Sequence, residues 1–150
     1  MTERTLEQRQ QDARHKLETE ADVWLASADT DGNPALVPFS LAWDGERIIL
    51  TTDGKNATAR NLAGNPKAKL FVGDSRDVVL VSATAQVFPQ AEAPAGALDL
   101  FADRTGWDAR GLGESWVVMV LTPDRVQVWR GPDEIKGRTV MRDGKWLESA

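Results

Sequence analysis

One stretch of the chain combines backbone and side chains suited to binding an anion. Residues 47–62 predict a strand over Arg47–Thr52, a loop at 53–55 and a helix beginning near Asn56, which suits an N-cap. A helix N-terminus presents unpaired backbone N–H groups at the positive end of the helix dipole, which favours a phosphate or another anion. The side chains that add donors or positive charge there are Thr51, Thr52, Lys55, Thr58 and Arg60. The alternative is an ordinary strand–helix connection with solvated basic residues.

The composition limits what chemistry the side chains themselves can perform. The 150 residues include no cysteine, no tyrosine and one histidine, His15, which falls in a polar N-terminal segment and is predicted to lie on the surface. Nucleophilic and general acid–base enzymes depend heavily on these side chains, and thiolate metal sites need cysteine. We therefore expect no metal site and no catalytic side chain; if the protein is an enzyme, a cofactor carries the reaction.

The distribution of charge predicts the kind of ligand. The chain has 18 basic and 23 acidic residues, a balance that disfavours nucleic-acid binding. Residues 45–76 nevertheless hold six basic and three acidic side chains. Such a small positive area suits a small anionic ligand better than a long polyanion. No apolar run approaches about 20 residues and the first residues are charged, so we expect no membrane segment, no signal peptide and, without cysteines, a cytoplasmic location.

The spacing of apolar residues and turns predicts a mainly β fold in one domain, residues 1–150, with a peripheral N-terminal helix within residues 1–20. Thr5 and Gln8 have the spacing of a capping box at the start of that helix. Asp31-Gly32, Asp44-Gly45 and Asp143-Gly144 each separate apolar runs and predict tight hairpins. The predicted strands cover 23–28, 35–43, 47–52, 68–72, 78–88, 116–121, 125–129, 140–142 and 145–147, and inserted helices cover 56–64 and 94–104. We predict a six-stranded antiparallel split β-barrel with its core strands in meander order.

The strand over residues 35–43 alternates large apolar residues with small or polar ones. Pro38 cannot donate to a ladder, which predicts an edge or a break where a flat ligand can lie. Trp24 and Trp43 are predicted core residues. The apolar residues of the late strands, including Trp116 and Trp129, either cover a dimer seam or are buried within one subunit.

Taken together, these segments resemble the pyridoxamine 5′-phosphate oxidase-like superfamily of flavin-binding split barrels, in particular its small actinobacterial members that include deazaflavin-dependent reductases. The resemblance covers roughly residues 22–147. It rests on residues 31–45, which look like the family's first hairpins, on 51–66, similar to its phosphate-binding strand–loop–helix, and on 123–131, similar to its Trp-x-Gly strand.

The resemblance implies a homodimer with FMN or the deazaflavin F420 bound at the seam. The positions that match the phosphate-binding part are Thr51, Thr52, Lys55, Thr58, Ala59 and Arg60. Val37, Pro38 and Phe39 would flank the ring, and Trp129 and Arg138 would reach in from the second copy. A small-molecule substrate is expected, with no nucleic acid and no membrane as partners.

Departures from the family pattern separate three hypotheses. The tract Pro132–Thr139 contains no histidine, so pyridoxamine phosphate oxidation is not expected. Thr58 stands where the family has lysine, and Val78 and Val79 replace polar positions. The first hypothesis is a flavin- or deazaflavin-dependent oxidoreductase that transfers hydride to a small planar or conjugated substrate. The second is a non-catalytic carrier or sensor of a planar ligand such as a flavin, a tetrapyrrole or a fatty acid, and the third is a protein that binds only another copy of itself.

Overall fold

The computed structural model describes residues 3–149, which form a curled antiparallel sheet and three helices. The helices are α1 (Leu6–Thr19), α2 (Ala57–Gly64) and α3 (Ala97–Thr105). The strands are β1 (Asp22–Ala28), β2 (Pro34–Ser40), β3 (Ala42–Trp43), β4 (Ile48–Asp53), β5 (Lys67–Asp74), β6 (Asp77–Pro89), β7 (Trp116–Trp129), β8 (Thr139–Arg142) and β9 (Lys145–Trp146). The predicted mainly β fold is confirmed.

Local sequence signals account for the hairpins. The three predicted turns connect β1 to β2, β3 to β4, and β8 to β9. Asp143 and Gly144 both have positive φ, 54° and 75°, as a two-residue hairpin turn with the twist of its strands requires. The helix α1 begins as predicted: Thr5 Oγ1 accepts the Gln8 N–H at 3.1 Å, and Gln8 Oε1 accepts the Thr5 N–H at 2.8 Å.

The order of the strands differs from the predicted meander. The sheet runs β2-β1-β5-β6-β7-β4-β3, with β8 and β9 continuing from β7, and every pairing is antiparallel. The six long strands, β1, β2, β4, β5, β6 and β7, confirm the six-stranded prediction. The meander is wrong because β4 pairs with β7 while β5 returns to β1. The helix α2 makes this return, with Leu62 packed into the barrel core.

A second correction concerns β7, which was predicted as two strands separated at residues 122–124. The structure shows one strand of 14 residues. The register against β6 shifts between Ser82 and Ala83, which face Arg125 and Pro123, so that Asp124 is the extra residue of a bulge. A bulge lets a strand continue through a proline that cannot donate a ladder hydrogen bond.

The apolar residues form two clusters on opposite faces of β4 and β7. The barrel core includes Trp43 and the inward residues of every long strand, and a smaller cluster outside β4 is covered by Phe101 of α3. Trp43 is 4% exposed, as predicted for the core, whereas Trp24 is 47% exposed, and that prediction is wrong. Trp24 alternates with Val23 and Leu25, which both point inward, so its own side chain must point outward.

The N-terminal helix docks more firmly than its polar composition suggests. Its buried residues include Ala13 and Leu17 but also Arg9 and Gln10. Gln10 Nε2 donates to the carbonyls of Val140 (3.1 Å) and Leu147 (2.7 Å). The Gln10 side chain can be buried here because it donates to backbone carbonyls of the C-terminal segment. Within residues 3–149, no helix combines the length and apolar character needed to cross a bilayer.

Candidate functional site

The loop between β4 and α2 is held tightly by its own hydrogen bonds. Gly54 N donates to Ser115 O at 2.8 Å, Lys55 N to Asp53 Oδ1 at 3.0 Å, and Asn56 N to Asp53 O at 3.0 Å. A Cβ on Gly54 would stand 2.9 Å from Ser115 O, so glycine is needed for this close approach. The loop amides are therefore already used, and the donors that remain for an anion are those of the first turn of α2.

The first turn of α2 has no side-chain cap. Asn56 occupies the predicted N-cap position, but its side chain makes no capping bond. Its Nδ2 donates instead to Thr52 Oγ1 at 2.9 Å. The first turn also contains no acidic residue. Among the described residues, the N–H groups of Ala57, Thr58 and Ala59 therefore receive no side-chain cap, which leaves the positive end of the helix dipole available to an anion.

The two predicted cations lie beside this helix end. Lys55 and Arg60 are exposed, and neither pairs with a carboxylate anywhere in residues 3–149. Arg60 lines a groove of about 410 Å³ between α2 and the β1–β2 loop, together with Ala57, Asn61 and Asp29. The carboxylate of Asp29 accepts bonds from Asn33 and Asp31, and these bonds, first that of the Asn33 side chain, lower its pKa. Asp29 is therefore engaged in its own turn, and Arg60 remains available.

The predicted threonines do not form an exposed rim. Thr51, Thr52 and Thr58 are all buried, with 3–4% of their surface exposed. Thr52 continues the inward face of β4 with Leu50, whereas Thr51 continues the opposite face with Ile49. Thr51 Oγ1 is buried without a hydrogen-bond partner among the described residues. Thr58 and the buried Ala59 contribute their backbone N–H groups to the helix end.

Two unpaired strand edges approach each other next to this helix end. Among the described strands, β2 pairs with β1 alone. β3 pairs with β4 only at Ile48 and Ile49. The edge residues 50–53 of β4 and the outer edge of β2 therefore keep free backbone groups, and the two strands are neighbours. Val37 and Phe39 are half-buried and Pro38 is exposed along this edge. The edge predicted from Pro38 is confirmed, although the strand breaks at Leu41 rather than at the proline.

Trp129 and Arg138 lie at the opposite end of the sheet. Thr51 pairs with Val118, and Trp129 stands eleven residues further along β7, which amounts to about 35 Å at the usual rise of a strand. Arg138 Cζ lies 6.0 Å above the Trp129 ring, and its Nη1 donates to Ile135 O at 2.8 Å. The structure therefore divides the predicted site residues of one chain into two groups, and one chain by itself cannot bring them together.

Most of the chain matches one family of known proteins. The family model described as pyridoxamine 5′-phosphate oxidase matches residues 10–130. The chain belongs to this family. No curated protein matches it significantly. In the described range, no group of three or more His, Cys, Asp or Glu side chains is arranged to hold a metal ion.

Solved structures of several kinds of protein are similar to this chain. An F420 reductase is 26% identical, with a TM-score of 0.62, over 75% of this chain and 94% of its own. The heme storage protein HutZ from Vibrio cholerae is 17% identical, with a TM-score of 0.70, over 80% and 94% of the two chains. A heme-binding protein from Mycobacterium smegmatis is 21% identical, with a TM-score of 0.72, over 96% of this chain and 60% of its own. The two heme proteins share the fold.

Proposed function

We propose that the protein binds a flavin-type coenzyme, FMN or the deazaflavin F420, and transfers hydride to a small planar or conjugated substrate. The observation that carries this proposal is the uncapped N-terminus of α2 beside the free edges of β2 and β4. Lys55 and Arg60 flank this helix end and pair with no carboxylate among the described residues. Backbone N–H groups and cations suit the phosphate of such a coenzyme. The free edges suit the hydrogen-bonding rim of a flat ring. The similarity to an F420 reductase supports the same assignment.

The residues of the chain bind and orient rather than react. The first turn of α2 with Lys55 and Arg60 would hold the phosphate, and the backbone of residues 37–39 would align the ring against the β4 edge. When bound, the coenzyme supplies the hydride chemistry. His15, the one histidine, is exposed on α1 and belongs to neither group of site residues. The tract Pro132–Thr139 contains no histidine, and we do not assign pyridoxamine phosphate as the substrate.

A second copy of the chain would complete the site. The outward residues of neighbouring strands form one transverse apolar row, in which Pro38 pairs with Trp24, Trp24 with Phe71, and Phe71 with Leu80. Leu36, next to this row, is 65% exposed. Exposed apolar area of this kind marks an interaction surface. Trp129 lies on the same face of the sheet. In the proposed dimer two such faces pack together, and Trp129 and Arg138 of one copy would lie at the β2 edge of the other. The late valines do not form this seam, because Val118, Val120 and Val128 are buried within one chain.

The second candidate is a non-catalytic protein that carries or senses a planar ligand. The heme proteins that share its fold favour a tetrapyrrole as that ligand. Heme iron takes His, Cys, Met or Tyr as an axial ligand. This chain has no Cys or Tyr, its Met119 and Met141 are buried, and His15 lies on α1. A flavin-type coenzyme, which needs no such ligand, agrees better with these residues.

Titration with FMN and with F420, followed by the fluorescence of the six tryptophans, tests the proposal. Charge-assisted hydrogen bonds are worth about 1.5–3 kcal/mol each, so the double variant Lys55→Ala, Arg60→Ala is expected to weaken coenzyme binding about 100-fold or more. The matched control is Arg76→Ala, Lys145→Ala, which removes two exposed cations outside both groups and should bind like the wild type. Absence of binding by the wild-type protein at high micromolar coenzyme, or equal binding by both double variants, would refute the assignment.

Turnover separates the two candidate functions. An oxidoreductase oxidises reduced coenzyme in the presence of quinones, nitroaromatics or enones. A carrier binds the coenzyme or heme without turnover of any of these substrates. Heme binding with a shifted Soret band, together with no affinity for either coenzyme, would favour the second candidate.

A further inference from the structure

The loop that carries Arg138 contains a buried carboxylate, that of Glu134, which accepts hydrogen bonds at the base of the loop. After β7 ends at Trp129, residues 130–138 form a loop and return as β8, where Val128 N donates to Arg138 O at 2.8 Å. Glu134, in a short 3-10 turn at Pro132–Glu134, is 2% exposed and points into the base of this loop. Its Oε1 accepts the backbone N–H of Arg130 at 2.8 Å.

The other donors to this carboxylate come from the opposite end of the chain. Arg4, which precedes α1 and is 9% exposed, gives Glu134 three hydrogen bonds: from its backbone N (2.9 Å), Nε (3.0 Å) and Nη2 (2.7 Å). The remaining nitrogen, Nη1, donates to Asp12 Oδ2 of α1 at 2.8 Å. Arg9 Nη1 adds a bond to the carbonyl of Gly137 at 3.1 Å. A bidentate arginine–carboxylate pair with this burial fixes both position and direction.

The same loop is tied to the turn between β5 and β6. Arg130 Nε donates to Asp77 Oδ1 at 3.2 Å, and Lys16 Nζ of α1 lies 3.1 Å from Asp77 Oδ2. The loop therefore has charged contacts on both sides, and α1 supplies a partner on each. Arg4, Arg9 and the loop beyond residue 130 lie outside the part of the chain that matches the family model.

We propose that Arg4 and Glu134 are positioning residues of the coenzyme site, through which the N-terminal segment holds Trp129 and Arg138 in the geometry that grips coenzyme bound by a second copy. The inference rests on the proposed function. Neither residue touches the coenzyme. Glu134 fixes the turn at 132–135, the carbonyl of Ile135 at the end of that turn holds Arg138 Nη1, and Arg138 lies over Trp129.

A double-mutant cycle tests the proposal on the full-length protein. Glu134→Gln, Arg138→Ala and the combination are compared with the wild type for affinity toward FMN and F420. Loss of one charge-assisted contact corresponds to about tenfold, which we expect for Glu134→Gln in the wild-type background. In the Arg138→Ala background, Glu134→Gln should lower coenzyme affinity no more than about twofold, because the effects of coupled residues are not additive. Equal losses in both backgrounds would overturn the proposal.

Arg14→Ala is the matched control for a general weakening of α1. Arg14 lies 4.3 Å over the Trp146 ring, so this variant loosens α1 without touching the loop, and coenzyme affinity should stay unchanged. Loss of affinity in Arg14→Ala equal to that in Glu134→Gln would also overturn the proposal. If Glu134→Gln does not fold, Arg4→Gln takes its place in the cycle, because Glu134 then keeps its two backbone donors.

A coenzyme-free measurement separates this proposal from the proposed function. With fluorotryptophan incorporated, the fluorine NMR resonance of Trp129, assigned by Trp129→Phe, should shift in Glu134→Gln while that of Trp43 does not. An unchanged Trp129 resonance would overturn the positioning role. If the wild type binds coenzyme but Arg138→Ala binds equally well, this inference fails while the proposed function stands. If the wild type binds neither coenzyme, both fail.

Discussion

Removing the charge of Glu134 should destabilise the protein in a way that depends on pH. The hydrogen bonds from the Arg4 side chain are the main cause that lowers the pKa of Glu134 from 4.5 to about 2; burial opposes them, and the backbone donors of Arg4 and Arg130 add to them. That difference corresponds to about 3 kcal/mol of unfolding free energy, at the lower end of the usual cost of breaking a buried ion pair. For a chain of this length, Glu134→Gln should therefore lower the melting temperature by roughly 10 °C.

The stabilisation by Glu134 is expected at neutral pH and is lost in acid. Because the folded protein holds this carboxylate ionised, the stabilisation is complete above the unfolded pKa of 4.5 and is lost as the pH falls toward about 2. Urea unfolding of the wild type and of Glu134→Gln, measured from pH 7 down to pH 3, should show a gap in unfolding free energy that is constant above about pH 5 and narrows below it.

A neighbouring carboxylate provides the control for this measurement. Asp133 is exposed and adjacent in sequence, so Asp133→Asn should change stability by less than about 0.5 kcal/mol. A gap between wild type and Glu134→Gln that keeps its full size down to pH 3 would refute the reasoning, since the ionised form of Glu134 would then not be the stabilising one. Equal losses for Asp133→Asn and Glu134→Gln would refute it as well.

Other buried and exposed positions give independent tests. Thr51→Val removes a buried hydroxyl that has no hydrogen-bond partner within residues 3–149 and should raise the unfolding free energy by about 1 kcal/mol in thermal or urea denaturation; a loss of stability would show that the hydroxyl is satisfied. Gly54→Ala places a Cβ against Ser115 O and should cost about 1–3 kcal/mol, whereas Gly111→Ala, with open space around it, should not; equal effects in chemical denaturation would contradict this difference. Leu36→Asp puts a charge in the proposed seam and should weaken self-association at least about tenfold in analytical ultracentrifugation, and an unchanged association constant would exclude this surface.

The helix end and its neighbouring cations could be predicted because these features are local. Where a strand leads into a helix, the N–H groups of the first helical turn have no intrahelical partner, whatever the rest of the chain does. Lys55 and Arg60 lie near this turn because they are close to it in sequence. The capture of the loop amides was not predictable. Ser115 takes the Gly54 N–H from sixty-one residues away in the chain, and no local pattern marks it as the acceptor.

The sequence predicts that Trp24 and Trp43 lie in strands, but not which of them is buried. Apolar runs bounded by turn residues mark Trp24 and Trp43 as members of strands, but they do not show which face of the sheet is covered. Trp43 faces the barrel core and Trp24 faces outward, which makes Trp24 a candidate interface residue. The partnership of Arg4 and Glu134, 130 residues apart, likewise has no signal in the sequence.

Local interactions account for what the amino-acid sequence predicted correctly: most helices and strands, their turns and the positive helix end. These features depend on hydrogen bonds and steric limits within a few residues, as in the Thr5–Gln8 cap and the Asp143-Gly144 turn. Long-range packing set the pairing of β4 with β7, the passage of β7 through Pro123 as one strand, and the distance of Trp129 from Thr51 in the same chain. These outcomes depend on which distant segments pack against each other, and burial and pairing energies between such segments are summed over the whole fold.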